Sequence, residues 1–123
     1  MSLFRARSGW FKKRSFASGF SIKDEVAERV RGLRGKGATV CVISDLFSGY
    51  VETILTEAGI RDCVDVVFAA ERMAVKRPDP YCINSILKET GTGRDSAYLV
   101  ASGTVNEECA RRAGIGFLRE LPF

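Results

Sequence analysis

Three places in this chain carry residue types that could do chemistry. Ser44 and Asp45 follow a short apolar run, so a hydroxyl and a carboxylate stand where a strand would end. Lys76 and Arg77 form a basic pair directly before Pro78-Asp79-Pro80. Cys109 lies three residues after Asn106, and Glu107 and Glu108 sit between them. Each has a plain local reading. Ser44 and Asp45 suit the cap of a following helix, the basic pair suits a solvated loop, and Cys109 suits helix packing. Glu107 and Glu108 are neighbours, so on a helix they point apart and do not make an acid–base pair. The 123 residues include no histidine, which excludes Ser-His-Asp and Cys-His catalysis and the zinc sites that need imidazole. Cys41, Cys63, Cys82 and Cys109 form no Cys-x-x-Cys pair, and three of them sit in apolar or helical contexts, which predicts reduced, buried thiols.

The elements that must position these groups follow from periodicity. Apolar residues recur every three or four positions from Ile22 to Leu33, which predicts a helix with Ser21 as its cap and Asp24 and Glu25 in its first turn. Thr39 to Ile43 is β-branched and unbroken by polar residues, as a strand covered on both faces requires. A helix follows from Gly49 to Ala58 and a second strand from Val64 to Phe68. Asp79 caps the next helix with Pro80 at its first position, and that helix runs to Glu89 or Thr90 before Gly91. Ala97 to Ala101 is a third strand, Asn106 to Ala113 a helix closed by Gly114, and Ile115 to Leu118 a fourth strand. Alternating strands and helices imply a parallel sheet with right-handed crossovers. One domain suits this length, and no apolar run reaches the roughly 20 residues of a membrane helix.

Charge separates residues 1–20 from the rest. They hold Arg5, Arg7, Lys12, Lys13 and Arg14 and no acid, whereas all fifteen acids and fourteen basic residues come later. Leu3, Phe4, Trp10 and Phe11 would share one helical face. A basic, serine-rich, amphipathic arm describes a mitochondrial targeting segment, with residues 14–18 as its processing region. The same arm could instead bind nucleic acid or anionic lipid.

From residue 21 onward the landmarks resemble the haloacid dehalogenase-like (HAD) hydrolase superfamily, particularly its phosphoglycolate-phosphatase-like members. The strand ending in Ser44 is similar to the family's second motif, whose hydroxyl binds the substrate phosphoryl group. Val75-Lys76-Arg77-Pro78-Asp79-Pro80-Tyr81 is similar to the third, with Lys76 as its lysine, and Leu99 to Gly114 falls on the fourth. The resemblance implies a three-layer, Rossmann-like α/β core with a short, mostly parallel sheet of about four strands. It also implies that the first strand, with its Asp-x-Asp nucleophile, and the helical cap domain are missing. Where the fourth motif supplies two magnesium-binding Asp residues, this chain has Ser102 and Asn106. Neutral oxygens replace neither carboxylate. Ser102 and Asn106 are therefore expected to hydrogen-bond their loop together, and Ser44 and Lys76 to attract at most an anion.

The family's first strand sits between those matching Thr39–Ile43 and Ala97–Ala101. Its loss would leave two unpaired strand edges. The expected remedies are direct pairing of those two strands or a strand donated by another chain. Filling by the amino-terminal arm is disfavoured by its basic sequence. The resulting expectation is a non-catalytic subunit of a larger, mitochondrial complex with protein partners and no cofactor. The alternatives are a phosphatase fragment that takes its nucleophile from a second chain and requires magnesium, or a basic-arm module for nucleic acid or anionic lipid.

Overall fold

The computed structural model describes residues 2–6, as backbone, and residues 22–119. Five strands make one sheet: β1 (Ser2–Ala6), β2 (Thr39–Ile43), β3 (Val66–Phe68), β4 (Ala97–Val100) and β5 (Gly116–Leu118). Four helices accompany them: α1 (Asp24–Gly35), α2 (Ser48–Glu57), α3 (Tyr81–Thr90) and α4 (Thr104–Ala113). The strand order is β3-β2-β1-β4-β5, with β2 parallel to β3 and β4 parallel to β5.

The centre of the sheet overturns one expectation. β1 lies between β2 and β4 and runs antiparallel to both, pairing Leu3 with Val42 and Val100, and Ala6 with Thr39 and Ala97. The amino-terminal segment therefore fills the gap, and β2 and β4 do not pair directly. The expected helical face through Leu3 and Phe4 gives way to a strand, and the sheet has five strands rather than about four. The physical reason is that two buried strand edges hold a full row of donors and acceptors, whose satisfaction outweighs the basic character of the segment. Arg5 takes a central register position, opposite Val40 and Tyr98. Arg7, Lys12, Lys13, Arg14, the processing region and the proposed Ser21 cap lie outside the described residues.

The apolar strands are covered on both faces, as their unalternating sequences require. Val40 and Val42 point into a core with Val30, Leu33, Val51 and Leu55 of α1 and α2. Cys41 and Ile43 point into another with Ile83, Ile86, Cys109 and Ala110 of α3 and α4, where Phe68 and Leu99 also sit. Two helical layers thus enclose the sheet. Helix ends match the sequence signals closely: Gly91 and Gly114 adopt φ 66° and 72° after α3 and α4, left-handed conformations that glycine adopts without a Cβ clash. Asp79 Oδ1 accepts from the Tyr81 amide at 2.9 Å, but α3 starts one residue later than expected, with Pro80 rather than Asp79 at the cap position. α2 is capped from a distance. The Ser48 amide and hydroxyl both donate to Glu71, placing a carboxylate at the helix amino terminus. Those bonds hold the Glu71 carboxyl below its usual range.

Candidate functional site

Because β2, β3 and β4 are parallel, the segments leaving their carboxyl ends converge at one edge of the sheet. There a cleft of about 290 Å³ is lined by Asp45, Ala70, Met73, Lys76, Arg77, Val105 and Asn106. Asp45 comes from the β2–α2 turn, Lys76 and Arg77 from the loop before α3, and Val105 and Asn106 from the first turn of α4.

Arg77 organises the cleft. Its side chain is only 6% exposed, and Nη2 meets Asp45 Oδ1 at 3.1 Å. Nη1 donates to Asn106 Oδ1 at 2.8 Å. Asn106, itself buried, donates from Nδ2 to the Ser102 carbonyl at 3.0 Å. The side-chain amide therefore has its oxygen committed to the guanidinium and its nitrogen to the loop backbone. As expected, Asn106 ties its loop together, but through the Ser102 carbonyl and with Arg77 as third member. The expectation of a solvated basic pair holds for Lys76, which is exposed, and fails for Arg77. The motif's base is expected at Lys76, whereas the inward-facing base is its neighbour Arg77.

Ser44 does not line the cleft. It is fully buried, its amide donates to the Phe68 carbonyl at 3.0 Å, and its Oγ accepts from the Leu46 amide at 3.1 Å. This is the local capping role, and it engages the hydroxyl inside its own turn. Ser44 and Lys76 are thus not brought together as an anion site. Cys109 is fully buried, and its thiol points to the Asp79 carbonyl at 3.5 Å. Its hydrogen bond to Cys82, and then its burial, push its pKa up, away from the thiolate a nucleophile needs. Burial pushes Cys41 up likewise. All four cysteines are free and buried.

A magnesium ion prefers hard anionic oxygens, commonly one or two carboxylates with waters and substrate phosphate. The residues here do not fit it. Among the described residues Asp45 is the only carboxylate lining the cleft, and it is already paired with Arg77. Among the described residues, no three His, Cys, Asp or Glu side chains come together in a way that could hold a metal.

Large apolar side chains collect around the same edge. The exposed ones among the described residues are Phe47 and Tyr50 beside the start of α2, Val75 and Tyr81 around the loop into α3, and Val105 on α4. All follow the carboxyl ends of parallel strands.

Comparison with solved structures matches this architecture to a haloacid dehalogenase-like hydrolase from Bacteroides fragilis. The TM-score is 0.73 at 18% identity, over 78% of this chain and 46% of that one. A HAD-superfamily hydrolase of subfamily IA, variant 1, from Geobacter sulfurreducens matches with a TM-score of 0.67 at 20% identity. That match covers 78% of this chain and 54% of the other. The chain thus spans about half the length of these structures. No curated protein sequence matches it. The family model for haloacid dehalogenase-like hydrolases matches residues 9–119. With that match over most of its length and the same fold in its structural neighbours, the chain belongs to the haloacid dehalogenase-like hydrolase family.

Proposed function

We propose that this HAD-like domain has given up phosphoryl transfer and serves as a structural or assembly subunit of a larger complex. One observation carries the reading: the fourth-motif positions are neutral Ser102 and Asn106, and among the described residues the only carboxylate lining the cleft is tied to Arg77. Covalent phosphoryl transfer in this family starts from an aspartate on the central strand. Here the central place is taken by an antiparallel strand, Ser2-Leu3-Phe4-Arg5-Ala6, which carries no acid. The apolar residues at the rim, Phe47 and Tyr50 foremost at 62% exposure each, supply a surface that suits a protein partner better than water.

A mitochondrial setting is part of the proposal, with one consequence. Since residues 2–6 occupy the middle of the sheet, a processed chain lacking residues 1–20 would lose its central strand. The proposed subunit therefore keeps its basic arm. Native purification from cells, with mass analysis of partners and of the amino-terminal peptide, is the test. Recovery in one stoichiometric assembly with residues 1–20 intact, and no magnesium-dependent turnover of p-nitrophenyl phosphate, is the expected result. Turnover by the chain, alone or with a partner carrying an Asp-x-Asp strand, would replace this reading with a hydrolase.

A further inference from the structure

We infer that the Arg77 guanidinium is the resident cation of the cleft and that it keeps divalent metal out. The inference rests on reading this cleft as the altered family site, and it concerns which charge occupies the site rather than what docks beside it. A metal-binding site of this class keeps its oxygens free and its net charge negative, so that the ion supplies the positive charge. This cleft does neither. The Asn106 side-chain oxygen, which would face an ion, accepts from Arg77 at 2.8 Å, and its amide nitrogen is pinned to Ser102 at 3.0 Å. Rotating Asn106 to offer an oxygen elsewhere would break both bonds of a buried side chain. Asp45 reaches the guanidinium from the solvent side, its side chain 77% exposed while that of Arg77 is 6% exposed. With Lys76 also lining the cleft, its described side chains carry two positive charges and one negative. A divalent ion would enter a positive field with no uncommitted carboxylate to meet it.

A guanidinium can stand in this position because it is planar, stays charged under burial and distributes several donors in a fixed fork. Here one arm of the fork takes a carboxylate from the β2–α2 turn and the other takes an amide from α4. The two halves of the sheet are thereby joined across the cleft, on either side of β1, by a protein charge. A lysine has neither the fork nor the second arm.

Paramagnetic broadening by Mn2+, followed on the amide signals of the 15N-labelled chain, reads metal at the cleft without reference to activity. The native chain should show no saturable broadening centred on Asp45, Arg77 and Asn106. The triple variant Arg77→Ala/Ser102→Asp/Asn106→Asp should gain saturable broadening there. The double variant Ser102→Asp/Asn106→Asp, which keeps the guanidinium, should bind Mn2+ at least about tenfold more weakly than the triple variant because the cation remains in place. Saturable broadening of the native chain at those residues overturns the inference, and so does equal Mn2+ affinity in the double and triple variants. Should the triple variant not fold, Asn106→Asp alone decides. It exchanges the amide's bond to the Ser102 carbonyl for a charged pair with Arg77 and should still take no Mn2+, whereas Mn2+ binding by that variant overturns the inference. Metal binding by the native chain without phosphatase turnover would sink this inference alone. Turnover would sink the non-catalytic reading as well.

Discussion

Two arginine–aspartate pairs brace opposite ends of the parallel strands, and they are built in opposite ways. At the amino ends, Arg34 of α1 meets Asp65 at 2.7 Å, with side chains 43% and 28% exposed. There the carboxylate is the hub: Asp65 Oδ2 also accepts from the Val40 amide at 2.8 Å, joining α1, β2 and the entry to β3. At the carboxyl ends the cation is the hub, buried and shared between Asp45 and Asn106, while its carboxylate stands in solvent. The same two residue types thus make a surface staple in one place and the interior of a cleft in the other. What differs is which partner has lost its water, and that decides which substitution is costly.

Arg77→Met should therefore have the largest effect. It leaves the Asn106 oxygen buried with no donor and empties the centre of the cleft, for a loss of about 3 kcal/mol in urea unfolding. A loss below about 1 kcal/mol would mean that the guanidinium behaves as a surface charge and that the contrast with Arg34 is false.

Next come the two substitutions that take one solvent-facing partner from each pair. Arg34→Met should cost about 1 kcal/mol, because Asp65 keeps both the Val40 amide and access to water. Asp45→Asn should cost about 0.5 kcal/mol or less, since it removes a screened charge from an arginine still bonded to Asn106. Urea midpoints in the order Arg77→Met, Arg34→Met, Asp45→Asn, most destabilised first, would sharpen the comparison. An Asp45→Asn loss equal to that of Arg77→Met would break it, by making the exposed carboxylate the anchor.

Neither pair was legible in the sequence. Arg34 and Asp65 are 31 residues apart, and Asp45 and Arg77 are 32 apart with no pattern connecting them. By contrast, the β2, β3, β4 and β5 strands and all four helices were foreseen within a few residues, because each announces itself through local periodicity, unbroken apolar runs or glycine stops. The central strand was missed for the opposite reason. Ser2-Leu3-Phe4-Arg5-Ala6 has no strand-like alternation, and the force that makes it a strand lies elsewhere, in the vacant edges of β2 and β4. The choice between Lys76 and Arg77 is of the same kind. Adjacent residues of like charge have no periodicity to separate them, and only the turn into α3 determines which one turns inward at the cleft.

The smallest effect belongs to a charge cluster on the same helix that carries Asn106. Glu108 accepts from Arg111 at 2.6 Å through both Nε and Nη2, and from Arg112 Nε at 2.7 Å. Those hydrogen bonds, Arg111 first, hold its carboxyl down to about 2. A carboxylate depressed on folding favours the native state fully above its unfolded pKa of about 4.3, and this contribution fades as pH falls toward the folded value. The melting temperature of the native chain minus that of Glu108→Gln should thus be small and positive at neutral pH and shrink on acidification below about pH 4. Added salt should shrink it as well, because the cluster lies at the surface. The signals of Asp45, Arg77 and Asn106 should stay in place throughout. If they move with Glu108, the surface of α4 and the cleft are one coupled network, and the contrast between a solvated cluster and a buried cation fails at its nearest point.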